Sequence, residues 1–246
     1  MSKTLHELLK GNASDEEVLA LIANGVDVNE INTEDSYTRP LQIAVNSKRS
    51  EQVIRALVKA GADVNACATE DDLTDDDQEA VNNGELNMRA DLFDYFGDLS
   101  PLYLAVSNND IATMTLLVNL GAEVNQTCRD SEDEVAPITA ANDKETLEAL
   151  IKLGANVNLT YGDSAAANKL GWDIEQLDVE SLMVLLRAGA GFFSNDNSPG
   201  DRINSYIENH PEADGELVRS LISANTLEYF NYDPFGDEDC EEEDWI

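Results

Sequence analysis

Carboxylates are the side chains abundant enough here to do chemistry: 50 Asp and Glu stand against 15 Lys and Arg among 246 residues, a formal charge of −35. Acid–base catalysis needs two such groups at a defined separation. With so many, pairs at any spacing arise by chance, so none is assigned that role. Asp75-Asp76-Asp77 has the density to hold Ca2+ or Mg2+ weakly, but the ordered ligand loop such a site needs is missing. Its nearest approach, Asn195 to Gly200, has Tyr206 where the bidentate Glu would stand and reads as a turn. His6 and His210 are the two histidines, and neither has a Cys or second His at metal-ligand spacing. Phosphate-loop, nucleophile-elbow and kinase-like motifs are missing as well. The expectation is a protein that is not an enzyme and takes no cofactor and no metal.

Electrostatic recognition is what the carboxylates can still do. The charge exceeds what solubility requires of a domain this size. A field of that sign repels nucleic acid and anionic membranes and speeds association with basic proteins by roughly 10 to 10³-fold at low salt. Its distribution is uneven. Between Lys59 and Arg129 the one basic residue is Arg89, against fourteen acidic ones that include Glu70, Asp71, Asp72, Asp75, Asp76 and Asp77. The same stretch carries Asp91-Leu-Phe-Asp-Tyr-Phe96, in which the phenylalanines weigh toward packing and Tyr95 is balanced between packing and contact. No Lys or Arg follows Arg219. The end of the chain runs Asp237, Glu238, Asp239, Cys240, Glu241, Glu242, Glu243, Asp244, Trp245. A solvated tail and a binding segment are both open for it, because aromatic residues punctuate the acid.

The elements that must position these groups are announced by a phrase used four times: Gly25-Val-Asp-Val-Asn29, Gly61-Ala-Asp-Val-Asn65, Gly121-Ala-Glu-Val-Asn125 and Gly154-Ala-Asn-Val-Asn158. Spacings of 36 and 33 residues, and 35 to a fainter copy at Gly189, mark a repeat array; the gap of 60 from Gly61 to Gly121 is one period plus an insertion. A second phrase keeps step: Thr38-Arg39-Pro40-Leu41-Gln42-Ile43-Ala44, Ser100-Pro101-Leu102-Tyr103-Leu104-Ala105 and Ala136-Pro137-Ile138-Thr139-Ala140-Ala141. Together they resemble the ankyrin repeat. Proline at a first helical turn gives up no needed hydrogen bond, and glycine after the second helix suits a left-handed cap. Pro137 precedes its glycine by only 17 residues, so that repeat is expected to be shortened by about a turn. Asn29, Asn65, Asn125 and Asn158 are read as structural turn residues.

The resemblance implies an all-α ankyrin-repeat solenoid of about five to six helix-turn-helix units with β-hairpin loops, an acidic insertion after the second repeat and an acidic C-terminal tail. Residues 1–195 form the array, with the insertion at about 67–98. Residues 196–228 form C-terminal capping helices, read at Asp201–Asn209 and Asp214–Ala224 with an Asp cap on each. Residues 229–246 form an acidic aromatic tail.

By the same resemblance the hairpin tips and inner helices line a partner-binding face, here acidic through Glu34, Asp35, Asp130, Glu132, Asp133 and Glu134, with Tyr37 and Tyr161 nearby. The expected partner is a basic protein, a nuclease or other nucleic-acid-binding protein, inhibited because carboxylates spaced like phosphates occupy its Lys and Arg groove. Phage and bacterial inhibitors of that logic are analogies of charge. Direct nucleic-acid or membrane binding is not expected. The alternative is a scaffold or host-directed effector that recognises its partner by shape through the concave face, using Tyr37, Tyr103 or Tyr161. Cys67, Cys128 and Cys240 are odd in number and show no paired spacing. Although Cys67 and Cys128 both closely follow a Val-Asn phrase, free thiols in a reducing compartment are expected. With no secretory apolar region at the N-terminus, the protein reads as cytoplasmic.

Overall fold

Proline and glycine mark where many of the helices begin and end. The computed structural model describes residues 4–33, 37–68, 72–85, 99–130, 133–161, 168–194 and 199–231, with 129, 130 and 133 described through their backbone. The chain divides into two compact units.

The first unit comprises Met1–Ala141 and Lys152–Ala155. It opens with α1 (Leu5–Lys10) and α2 (Asp15–Ala23), started by Thr4 and Ser14 through reciprocal capping boxes with Glu7 and Glu17. Next come α3 (Pro40–Asn46) and α4 (Glu51–Lys59), α5 (Asp75–Asn82) inside the insertion, then α6 (Pro101–Ser107) and α7 (Ile111–Asn119). Pro40 and Pro101 occupy first-turn positions, and the Ser100 hydroxyl accepts from Tyr103 N. A short antiparallel ladder of β1 (Cys128–Asp130) and β2 (Asp133–Val135), in register Cys128 to Val135, leads to a 3-10 helix, Pro137–Ala140. The 3-10 turn is the shortening expected after Pro137. In the first hairpin the strand pairing is a single bridge between Asn32 and Thr38.

Helices α1, α3, α6 and the 3-10 turn pack in series as an inner row, and α2 packs on α4 in the outer row. Fully buried Ala44 and Ala105 allow that close approach, and Leu9, Val53, Leu57, Met114 and Leu117 fill the space between rows. Each outer helix ends on a glycine with positive φ, 82° at Gly25, 105° at Gly61 and 106° at Gly121, a conformation most side chains would strain.

The repeated asparagines link successive repeats. Asn29 Nδ2 donates to Gly61 O at 2.8 Å while its Oδ1 accepts from Asp63 N at 2.9 Å. Asn65 Oδ1 accepts from Glu123 N at 2.9 Å, and Asn125 Nδ2 donates to Gly154 O at 3.1 Å. Register therefore passes from the second repeat to the third although the insertion lies between them in sequence. The asparagines are structural, as expected, but they bond across repeats as well as within the turn.

The second unit comprises Asn142–Ile151 and Asn156–Ile246. The division falls inside the fourth repeat; the boundary at residue 195 follows the repeat pattern and lies elsewhere. Here α8 (Lys144–Lys152) is followed by α9 (Lys169–Asp173), a 3-10 turn Ile174–Gln176, α10 (Val179–Arg187), α11 (Pro199–Asn209) and α12 (Gly215–Tyr229). Leu170, Ile174, Leu182, Leu185, Phe192, Ile203, Tyr206 and Ile222 form the core. Asn168 replaces the missing proline phrase. Its Oδ1 accepts from Gly171 N and Phe193 N, and its Nδ2 donates to Gly191 O. Asn158 continues the asparagine pattern, bonding Gly189 O and Gly191 N.

Two sequence expectations change. Helix α11 begins at Pro199, so Asp201 lies in its first turn rather than at its cap, whereas Asp214 does cap α12, which runs on to Tyr229. Cys67 and Cys128 are not free thiols but disulfide-bonded, with Cα atoms 6.5 Å apart across 61 residues of sequence. Their pairing is invisible in spacing because the repeat stack, not the local chain, brings the two hairpins together. The acidic insertion, for which the sequence reading assigned no helix, contains α5.

Candidate protein-interaction surface

The insertion is fastened to the first hairpin by a clasp of polar side chains. Tyr37, at φ 56°, buries its ring against Ile31, Ala68 and Leu73. Its hydroxyl donates to the Asp77 carboxylate, which also accepts from Thr74 Oγ1 at 2.6 Å. Beside it, Arg39 donates to Asp72 Oδ1 at 2.7 Å and to Cys67 O at 3.2 Å. Helix α5 is placed by this clasp. Thr74 caps it, and the three aspartates of its first turn face the positive end of the helix dipole.

The hydrogen bonds from Thr74 and Tyr37 hold the Asp77 carboxyl below the usual carboxylate range. Burial, with the bond to Asp77, pushes the Tyr37 phenol up. Asp77 is therefore a charged acceptor at neutral pH and Tyr37 a neutral donor, the states the clasp requires.

The residues expected to meet a partner divide accordingly. Tyr37, Asp72 and Asp77 hold the insertion, Tyr37 buried and the two aspartates half-buried. Tyr161 is buried too; its ring stacks near Trp172 at 6.4 Å, and its carbonyl accepts from the indole at 3.4 Å. Both tyrosines look like hairpin-tip residues in sequence, but their bulk fills the base of the loops. Tyr103 stays half-buried on α6. Asp75 and Asp76 are exposed on α5, joined by Glu79. Glu134 is half-buried and accepts from Thr127 Oγ1, while Asp130 and Asp133 are opposite one another on β1 and β2. Glu34, Asp35, Glu70, Asp71, Tyr95, Glu132, Asp237, Glu238, Asp239, Glu241, Glu242, Glu243 and Trp245 lie outside the described residues.

One set of acids escaped the sequence reading. Asp27, Asp63 and Glu123 recur at the same place in the first three repeats, and all are exposed. Asparagine links tie Asp63 N and Glu123 N to the preceding repeat, so these carboxylates form a registered row. The repeated phrase itself contained the signal, overlooked because its aspartates resemble ordinary turn residues. Asp27 and Asp63 do bond locally, accepting from Asn29 N and Asn65 N, yet each keeps an exposed carboxylate.

Some basic side chains are meanwhile turned inward. Arg49 donates to the carbonyls of Leu8, Leu9, Gly11 and Ala13, capping the end of α1. Arg202 donates to Gly171 O and pairs with Glu175, and Lys169, fully buried, bonds Asn142 and Asp173. Arg39 likewise serves internal bonds, to Cys67 O and Asp72. Among the described residues no three His, Cys, Asp or Glu side chains gather as a metal site, and no helix is long and apolar enough to cross a membrane.

The ankyrin repeat model matches residues 39–69 and 98–129. No curated protein matches the chain. The two matched segments span α3–α4 and α6–α7, the same helix pairs that the asparagine links hold in register. That agreement of sequence pattern with inner and outer helix rows makes the chain an ankyrin repeat protein, of the fold that serves as a protein–protein interaction module.

Proposed function

We propose that this protein is a non-enzymatic, cytoplasmic interaction module whose acidic surface binds a basic, nucleic-acid-binding protein and inhibits it by standing in for the phosphate backbone. What supports this is the opposed placement of charge. The row Asp27, Asp63 and Glu123 and the α5 face of Asp75, Asp76 and Glu79 are exposed, while Arg39 and Arg49 are drawn into carbonyl bonds. The acidic segments beyond the described residues, 237–243 among them, carry charge of the same sign.

Such a complex forms by electrostatic steering and weakens steeply with salt. The test is capture of partners on the full chain at low ionic strength, eluted by stepwise salt, with D75N/D76N/E79Q compared against the parent. The triple variant leaves the clasp intact, so it is expected to fold normally and to lose at least about tenfold in affinity for a basic partner. A neutral or acidic partner that survives high salt and is indifferent to the variant overturns the proposal. That result would point to recognition by shape.

A further inference from the structure

We propose that the Cys67–Cys128 disulfide is a redox-sensitive latch that fixes the root of the insertion, rather than a staple the repeat fold needs. The bond joins the turn after the second repeat to β1 and so encloses the whole insertion. Its position makes it a control point for that segment. Cys67 O accepts from Arg39, the residue that also grips Asp72, so one end of the disulfide is hydrogen-bonded into the clasp that carries α5.

The same junction is held without the disulfide. Asn65 Oδ1 accepts from Glu123 N at 2.9 Å, Gln126 Nε2 donates to Asn65 O at 2.7 Å, and α3 packs directly on α6. Opening the bond therefore removes a constraint on the insertion while inter-repeat bonds and core packing persist. Access is asymmetric as well: Cys67 is half-buried, whereas Cys128 is buried. In a reducing compartment, a disulfide in an otherwise complete fold has the character of a sensor.

The exchange is balanced with a low-molecular-weight thiol such as glutathione. Its thiolate attacks Cys67 Sγ, the S–S bond breaks, and the electron pair leaves on Cys128 Sγ, which takes a proton. A second thiolate attacks the external sulfur of the mixed disulfide and expels Cys67, also protonated. The protein disulfide gains two electrons and two protons, and two small thiols become one small disulfide. Oxidised glutathione drives the reverse.

The latch does not depend on the identity of the partner, and its test needs none. The full chain, in a Cys240→Ser background, is equilibrated in mixtures of reduced and oxidised glutathione, then alkylated and weighed by mass spectrometry. In parallel, cleavage within residues 72–85 by an acid-specific protease and the helical circular dichroism are followed. Expected are a reversible two-thiol transition within the glutathione range and about tenfold faster cleavage of the reduced form at that segment. The helical signal should be unchanged, and the Cys67→Ser variant should be cleaved like the reduced form in every buffer. A pair that stays linked or stays open in all mixtures overturns the proposal, as does equal cleavage of the two forms. Loss of the helical signal on reduction also overturns it, because the bond would then be a staple.

Discussion

His6 and Gly191 are two residues whose surroundings make sharp demands. His6 is buried on α1, with Nε2 2.9 Å from Glu30 O. Burial lowers its pKa more than the neighbouring carbonyl and carboxylate raise it. Below about pH 6.5 the unfolded chain takes up a proton that the folded chain resists, so this contribution is complete above that pH and is lost as pH falls. Chemical denaturation of the parent and of His6→Gln across pH 7.5 to 5.5 should show the parent losing the more stability. A parallel decline excludes the effect. Gly191 meets α12 backbone: a Cβ there would stand 2.8 Å from Thr226 Cα. Backbone cannot swing aside as a side chain can, so Gly191→Ala should destabilise by about 1–3 kcal/mol in urea unfolding.

Between the helices, two devices set the geometry, the asparagine links and the clasp on α5. Asn29 makes its inter-repeat bonds in an exposed position, whereas Asn158 is buried and bonds Gly189 O, Gly191 N and Asn168 Nδ2. Unpaired buried groups cost more than exposed ones that water can satisfy. Asn29→Ala should therefore cost about 1 kcal/mol and Asn158→Ala about 3 kcal/mol in equilibrium unfolding. Similar values would mean that the links contribute register without burial mattering. For the clasp, Tyr37→Phe removes the donor to Asp77 but keeps the ring in its apolar seat. Amide exchange over 75–82 should speed about tenfold, with α3 and α6 unaffected. Because Asp77 is held below its usual pKa, the clasp contributes fully above about pH 4 and fades as pH falls further.

Across the whole molecule, charge is the governing quantity. A formal charge of −35 repels itself. Screening relieves that repulsion. Raising salt from about 20 mM to about 200 mM should lift the thermal midpoint by several degrees, the reverse of what a fold held by surface ion pairs would show. A midpoint that falls with salt would mean that pairs such as Lys144–Glu180 and Arg202–Glu175 outweigh the repulsion.

The sequence by itself determined the repeat. Proline and glycine act locally, through a fixed φ at Pro40 and Pro101 and a left-handed cap at Gly61 and Gly121, so the helix pairs and their order were legible from spacing. Composition likewise located the acid in the insertion and tail. What tertiary structure decided was the direction in which individual groups face. Tyr37 and Tyr161 sit beside acidic loops in sequence, yet apolar rings at a loop base are buried by the hydrophobic effect. Asp77 looks the same as Asp75 and Asp76, but one helical turn allows only one of the three to meet Tyr37. Cys67 and Cys128 became partners, and Asp27, Asp63 and Glu123 became a row, only when stacking set successive repeats side by side. Those contacts join residues tens of positions apart, and no local pattern encodes them.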